Sequence, residues 1–501
     1  MRDHILLPAL VALVSYWAAP VLAEVPLNGA PGWLAERDRV LSEFGVEVPE
    51  DEAEAQAETR PAATVEGPPE VVGSDVRLAL TQMAQAAGSA GQARIAAAQP
   101  QGGPGAIYLR AGSATLDELY EATRGTEVEP YLTRVGEGYV ASRPIVVVQG
   151  AALSLEPGDV LELDGKGGTF LLNFGHLRIT GATLRTEVPP PETENAFRPF
   201  VVSLGTGTLE VAGSLFEGLG SDVAPAASGL AVASGSLFAT SGTSEVRDSR
   251  FVDVHGLFVL DSDGARIEGN RFERPRGVAI WSDGSNSAVI RDNLVIEPEG
   301  SFAARIDGPA TEVSFIDNVL LNGHHTGVRV AGGAAAVDVR GNVVVGFAGR
   351  GIVAEEGASC LRLAGNLIRA NGGDGISAGD IGDVIVAGNA IQRNGGAGVS
   401  LARSRGDSTL LVAENLIEDN RSGVRTASLR SMMLTGNDLS DQMPRHLAGD
   451  LTQFTPLFLR ESRGGARVSL DVDQVRAEVA EPLSPQDLAQ AFDDCRAEEA
   501  S

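Results

Sequence analysis

Apolar and polar residues alternate with period two in short runs along most of this chain, as in Leu209-Glu210-Val211, Val337-Asp338-Val339-Arg340 and Leu361-Arg362-Leu363. Period two is the pattern of strands, since successive side chains point to opposite faces. Such runs end at Asn270, Asn293, Asn318, Asn342, Asn366, Asn389, Asn415 and Asn437, separated by 23, 25, 24, 24, 23, 26 and 22 residues. A repeat of this length marks a solenoid, in which each unit buries its apolar face only against its neighbours. A second extended run follows each asparagine, for example Gly327-Val328-Arg329-Val330, Gly351-Ile352-Val353-Ala354 and Gly398-Val399-Ser400-Leu401, so every coil carries at least two strands. The residues between them, such as Ala370-Asn371-Gly372-Gly373-Asp374, are turn formers, which excludes the helix of a leucine-rich repeat. The pattern predicts an all-β solenoid: a single-stranded right-handed parallel β-helix with short N-terminal and C-terminal helical segments. One asparagine at a fixed place per coil suits a turn whose backbone groups need partners, so the ladder is expected to be structural.

The flanks read differently. Residues 1–23 have the form of a signal peptide, with Met1-Arg2-Asp3-His4, an apolar stretch from Ile5 to Ala19 and cleavage expected after Ala23. The expectation is an exported, periplasmic chain. Residues 24–104 read as an acidic Ala/Pro/Gly-rich linker with short helices, near Trp33–Phe44 and from a Ser74 cap through Ala87, lacking the apolar periodicity of a core. Residues 105–144 read as an N-terminal cap, with a strand at Ile107-Tyr108-Leu109-Arg110 and capping-box spacing between Thr115 and Glu118. The β-helix is expected over 145–460, and an acidic tail with a helix starting at Ser484-Pro485 over 461–501. Insertions at Pro189–Glu192 and Gly220–Pro225 lengthen the early coils, and such insertions often line a binding face.

Composition sharpens this picture in three places. Aromatic residues make up 5% and Gly numbers 61, which suits thin coils packed by small aliphatic side chains. A formal net charge of −28 argues against nucleic acid as a partner. The two cysteines, Cys360 and Cys495, lie far apart in unlike segments and form no framework, so no disulfide is expected.

Three segments carry a resemblance to a known family: Ile107-Tyr108-Leu109-Arg110 followed by Thr115-Leu116-Asp117-Glu118-Leu119, then Phe216-Glu217-Gly218-Leu219-Gly220-Ser221-Asp222 with Ser228-Gly229-Leu230, and Asn371-Gly372-Gly373-Asp374-Gly375-Ile376. From about Ile107 to Gln453 the chain resembles the periplasmic mannuronan C5-epimerases, β-helices that convert mannuronate to guluronate within alginate. Their reaction requires that the uronate carboxylate be neutralised, that a base remove the C5 proton and that an acid return one from the other face. The family's Asp-Pro-His-Asp-Arg-Ser motif aligns with Ile280-Trp281-Ser282-Asp283-Gly284-Ser285, which puts Ser282 at the histidine position and matches Asp283 and Ser285. Serine without a partner is no base of suitable pKa. The resemblance implies that Arg305 is the carboxylate-neutralising arginine.

Arg329 follows 24 residues later and faces outward by its alternation with Val328 and Val330, so the two arginines are expected to stack toward a polymer of carboxylates. His324 and His325, in the turn before that strand, are candidates for a migrated base, with a solvated turn pair as the alternative. His255 is a further candidate on an earlier coil, and Trp281 is a candidate for stacking on a sugar face. The candidate catalytic residues are therefore His324, His325, Asp283 and Ser282, and the candidate binding residues Arg305, Arg329 and Trp281. No metal-ligand cluster or calcium nonapeptide repeat is visible, and no cofactor is implied. Three functions stay open: an active epimerase with a rearranged site, a catalytically lapsed relative that binds or escorts polymer during secretion, and a lyase. The expected partners are an acidic polysaccharide and an exopolysaccharide secretion complex, with a monomeric chain.

Overall fold

The computed structural model describes Ser42 and residues 65–89, 91–100, 105–187, 197–234, 244–406, 408–429, 432–461, 468–471, 476–479 and 483–499. The expected signal peptide, the helical pattern expected near Trp33 and the insertion at Pro189–Glu192 lie outside these residues.

Each regular coil supplies one strand to each of three parallel sheets, here A, B and C in chain order. Gly256–Leu260, Arg266–Glu268 and Arg271–Glu273 form one coil. They pair in register with Ile280–Asp283, Val289–Arg291 and Leu294–Ile296 of the next. The result is the right-handed parallel β-helix that the periodicity predicts. Inward positions repeat from coil to coil, so like stacks on like: the rings of Phe216, Phe251 and Phe272 lie 4.9 and 4.6 Å apart, centroid to centroid.

The turn from sheet B to sheet C is two residues long. Its first residue is left-handed, as at Gly341 (φ 67°) and Asp292 (φ 55°), and its second is the ladder asparagine. Asn366 shows why: its Nδ2 donates to Val339 O and Asn389 Oδ1, each at 2.9 Å, while its Oδ1 accepts from the Asn342 backbone N–H at 2.9 Å. Serines continue the ladder toward the N-terminus, with Ser249 N–H donating to Asn270 Oδ1 and Ser214 N–H to Ser249 Oγ, both at 3.1 Å. A second ladder, absent from the sequence reading, runs through the turn from sheet C to sheet A: Asn371, Asn394, Asn420 and Gln442.

Among the described residues, five helices flank the barrel: α1 (Val76–Ala87), α2 (Gln92–Ala97), α3 (Leu116–Thr123), α4 (Thr455–Glu461) and α5 (Pro485–Glu499). The capping box of α3 forms between Thr115 and Glu118, and its Leu116 and Leu119 enter the core at the first coil. That coil already contains Ala106–Thr115, which pairs in parallel with Ile145–Val147 and Ala151–Leu155, so the barrel starts before 145. Its last parallel rung is Arg445–Gly449, closed by Phe454 and Phe458. None of the described helices is long and apolar enough to cross a membrane.

Two expectations are corrected. The stretch read as linker is part of the fold from Glu70 onward: Glu70–Ser74 pairs antiparallel with Ala106–Thr115, and α1, capped by Asp75 rather than Ser74, buries Val76, Ala79, Leu80 and Met83 on sheet A. The sequence predicts this helix; its packing on sheet A is what the linker reading misses. The cysteines are joined as a Cys360–Cys495 disulfide. Helix α5 folds back onto the outer face of sheet B, where Phe492 is buried with Ile385, Ala387 and Ala413. Cys360 points outward there because its backbone is left-handed (φ 47°).

Candidate functional site

Parallel register turns the outer face of sheet A into columns. One column reads Phe258, Trp281, Arg305, Arg329, Val353 and Ser377, each directly beside the next. Two residues further along the strands runs a second column, with Asp283 opposite Asp307. Charged and aromatic groups therefore meet at Trp281, Asp283, Arg305, Asp307 and Arg329.

Arg305 is held by its plane and by one nitrogen. Its guanidinium lies 4.4 Å from the centre of the Trp281 ring, and its Nε pairs with Asp307 Oδ2. The side chain remains 29% exposed, and its two Nη groups make no hydrogen bond among the described residues. Trp281 is itself half-buried, its ring 4.7 Å from that of Phe258. Stacking on an aromatic face fixes a guanidinium without using its hydrogen-bonding edge.

Arg329 differs. Only 7% of its side chain is exposed, and it contacts three carboxylates at 2.7 Å each: Asp307 Oδ1 from Nη1, Glu355 Oε1 from Nε and Glu356 Oε2 from Nη2. It stacks beside Arg305 as expected, but it anchors Asp307 rather than presenting charge outward. Burial pushes the carboxyls of both Asp283 and Asp307 above the usual carboxylate range, and the nearby Arg305 only partly opposes this. Asp261, on the preceding coil, is pushed up by burial and then by Asp283.

The remaining candidates fall elsewhere. Ser282 points into the barrel, fully buried between Val259 and Ile306, and its hydroxyl finds no partner among the described residues. A side chain there cannot reach a polymer, so Ser282 is withdrawn as a catalytic candidate, and a histidine at that position would enter the core. His324 and His325 are exposed in the turn before Thr326–Val330. Thr326 is already about 10 Å along the strand from Arg329 at about 3.3 Å per residue. Among the described residues, neither histidine makes a hydrogen bond or ion pair with Arg305 or Asp283.

His255 is half-buried, and its imidazole is pushed down to about 4, first by the desolvation this brings and then by the neighbouring Arg276. Arg276 donates to backbone oxygens of Asp253, Leu219 and Gly220 at 2.9, 3.0 and 2.7 Å, which pins the Gly218–Asp222 segment to the barrel. This pair fixes a loop. Asp307, Glu355 and Glu356 were missed in the sequence, although Asp307 was within reach: Trp281-x-Asp283 and Arg305-x-Asp307 are 24 residues apart and share one parity.

Comparison with known proteins agrees with this geometry. A family model described as "Right handed beta helix region" matches residues 303–450. A mannuronan C5-epimerase of Pseudomonas aeruginosa is 30% identical over 210 residues, which is 38% of this chain and 37% of that relative's length. The crystal structure of the periplasmic alginate epimerase superposes with a TM-score of 0.60 at 18% identity, covering 79% of this chain and 100% of that one. This chain is thus a right-handed parallel β-helix, related in sequence to a mannuronan C5-epimerase and alike in fold to the periplasmic alginate epimerase.

Proposed function

We propose that the protein is exported to the periplasm and binds an acidic polysaccharide of the polyuronate class at Arg305 on the outer face of sheet A. One observation carries the reading: Arg305 is clamped by Trp281 and Asp307 while its Nη edge stays free and partly exposed. That edge is a preorganised fork for a carboxylate, and two parallel charge-assisted bonds are the geometry a uronate offers. Relatives named for alginate and mannuronan chemistry support the same ligand class.

A catalytic version of this reading is favoured by Asp283 and Asp307, whose raised pKa values suit proton transfer beside a cation that neutralises the sugar carboxylate. Asp283 would then be the base in place of an imidazole, with Arg305 stabilising the charge that develops on the carboxylate. Incubation with polymannuronate in deuterated water separates the outcomes. Deuterium at C5 in intact chains, lost in Asp283→Asn, means epimerase. New unsaturated ends mean lyase. Binding without either means a carrier, and no binding to any uronan overturns the proposal.

A further inference from the structure

Helix α5 lies along the outer face of sheet B and runs back across the coils. At its start the Leu483 N–H donates to Glu414 Oε1 at 3.2 Å; at its end Arg496 Nη2 pairs with Glu312 Oε1 at 2.9 Å and Ser359 Oγ donates to Glu499 Oε1 at 2.5 Å. Glu414 follows the strand Leu410–Ala413, and Glu312 precedes Ser314–Ile316, four rungs back through Val384–Ala387, Ser359–Ala364 and Ala335–Arg340. Four rungs make about 19 Å at about 4.8 Å each, and the fifteen residues of α5 make about 22 Å at about 1.5 Å each, so the helix covers the distance. Coils of a solenoid meet only their neighbours, yet one helix here bridges coils four rungs apart.

What holds the helix down is slight apart from one bond. Among the described residues of α5 only Phe492 is buried, packed with Cys360, Ile385, Ala387 and Ala413 and lying 4.8 Å from the Arg362 guanidinium. The side chains of the Arg496–Glu312 pair are 41% and 51% exposed, and an exposed pair contributes little. A fifteen-residue helix is marginal in water unless one face is packed, and one buried ring with a few solvent-facing polar contacts does not supply such a face. The Cys360–Cys495 bond therefore decides whether α5 stays docked. Its two sulfurs differ in access: Cys360 is 1% exposed, whereas Cys495 is half-buried and can be approached from solvent.

We propose that this disulfide is a redox latch, which keeps α5 clamped across sheet B when oxidised and lets it lift off when a dithiol reduces it, uncovering the strip of Cys360, Ile385, Ala387 and Ala413. A thiolate of the dithiol attacks the Cys495 sulfur and the S–S bond breaks, with Cys360 as the leaving thiolate; the second thiol of the reductant then displaces Cys495. Two electrons and two protons reach the protein as two thiols, and the dithiol becomes a disulfide. An oxidising compartment keeps the latch shut. The latch works whatever polymer the protein binds.

Hydrogen exchange of the full chain, read by mass spectrometry with and without dithiothreitol, tests this. Reduction should make the amides of 485–499 exchange at least about tenfold faster, while the strands of sheet B beneath them keep their protection. Cys495→Ser should show the fast exchange from the start, and dithiothreitol should change nothing further in it. Should that variant fold poorly, reduction of the wild-type chain decides alone. Equal protection of α5 before and after reduction overturns the latch, because the ring and the polar contacts would then suffice. So does loosening of the strands together with α5, which would make the bond a support of the barrel, and so does alkylation of either cysteine before any reductant is added.

Discussion

Arg305 and Arg329 share a column one coil apart, yet their surroundings give them different roles. Arg329 and Asp307 are almost fully buried, and breaking a buried pair leaves a charge with nothing to oppose it. Asp307→Ala should cost about 3 kcal/mol of stability, at the low end of the usual range because Arg329 keeps Glu355 and Glu356. Arg305→Ala, which leaves the buried Asp307 Oδ2 without its partner, should cost about 1–3 kcal/mol of stability and weaken uronan binding by about 1.5–3 kcal/mol, the worth of a hydrogen bond to a charged group. Denaturant melts and calorimetric titration read the two effects separately. Arg305 came from the family resemblance, and what the sequence adds is that Trp281 and Arg305 lie 24 residues apart, one coil, on strands of one sheet. The burial of Ser282 was less legible: aligning a motif fixes a position but not the face it occupies, and here Ile280 and Ser282 alternate inward with Trp281 and Asp283 outward. His255 gives a pH signature at the same scale. Its folded form is neutral down to about 4, whereas the unfolded chain takes up a proton near the ordinary 6.5. Stability from this group is therefore complete above pH 6.5 and is lost as pH falls toward 4, by about 3 kcal/mol. His255→Gln should flatten the stability profile in that window relative to wild type, measured by urea midpoints. An unchanged slope would mean the imidazole is solvated.

At the scale of the turn and the coil, the asparagine ladder explains why the repeat was the most readable feature of the chain. A two-residue turn with a left-handed first position leaves backbone groups without sheet partners, and one amide per coil satisfies them. Asn366→Leu would orphan the Asn342 N–H and the Val339 carbonyl in a buried setting. At about 1–3 kcal/mol for each unsatisfied group, the loss should be about 3 kcal/mol. Asn437→Leu sits at the ladder's end, where the turn is slightly open, and should cost about half as much. Thermal melts of both variants decide this, and equal small losses would remove the ladder from the list of what holds the coil. The second ladder escaped the sequence reading because its members sit among glycines in a turn of variable length. Asn371, Asn394, Asn420 and Gln442 each lie five residues after a ladder asparagine, but only three are asparagines, and Gln442 closes the series with a different residue type.

For the molecule as a whole, net charge and local site pull in opposite directions. A chain of formal charge −28 repels a polyanion at long range, while Arg305 attracts a carboxylate at contact. Salt screens the first over about 8–10 Å at physiological ionic strength and weakens the second only at that contact. Association should therefore speed up and dissociation should also quicken as salt is added, a pattern stopped-flow kinetics can resolve. A slowing of association would show that a positive local field already dominates the approach. The same whole-molecule view reverses the dispensability that composition suggested for the N-terminal stretch. Ala- and Gln-rich sequence looks like linker when judged alone, because its apolar positions match nothing in the repeats. They match the outside of sheet A instead, where the first six rungs present an apolar column that water would otherwise meet. Deleting residues 65–100 should expose Tyr108, Val146, Leu172, Val202 and Phe258 together, a contiguous patch of the kind that drives aggregation. Each large side chain uncovered forfeits about 1.5–3 kcal/mol of burial, so the shortened chain should be lost from the soluble fraction or bind a hydrophobic dye strongly. A soluble, monomeric, dye-silent deletion variant would show that the barrel closes without its roof.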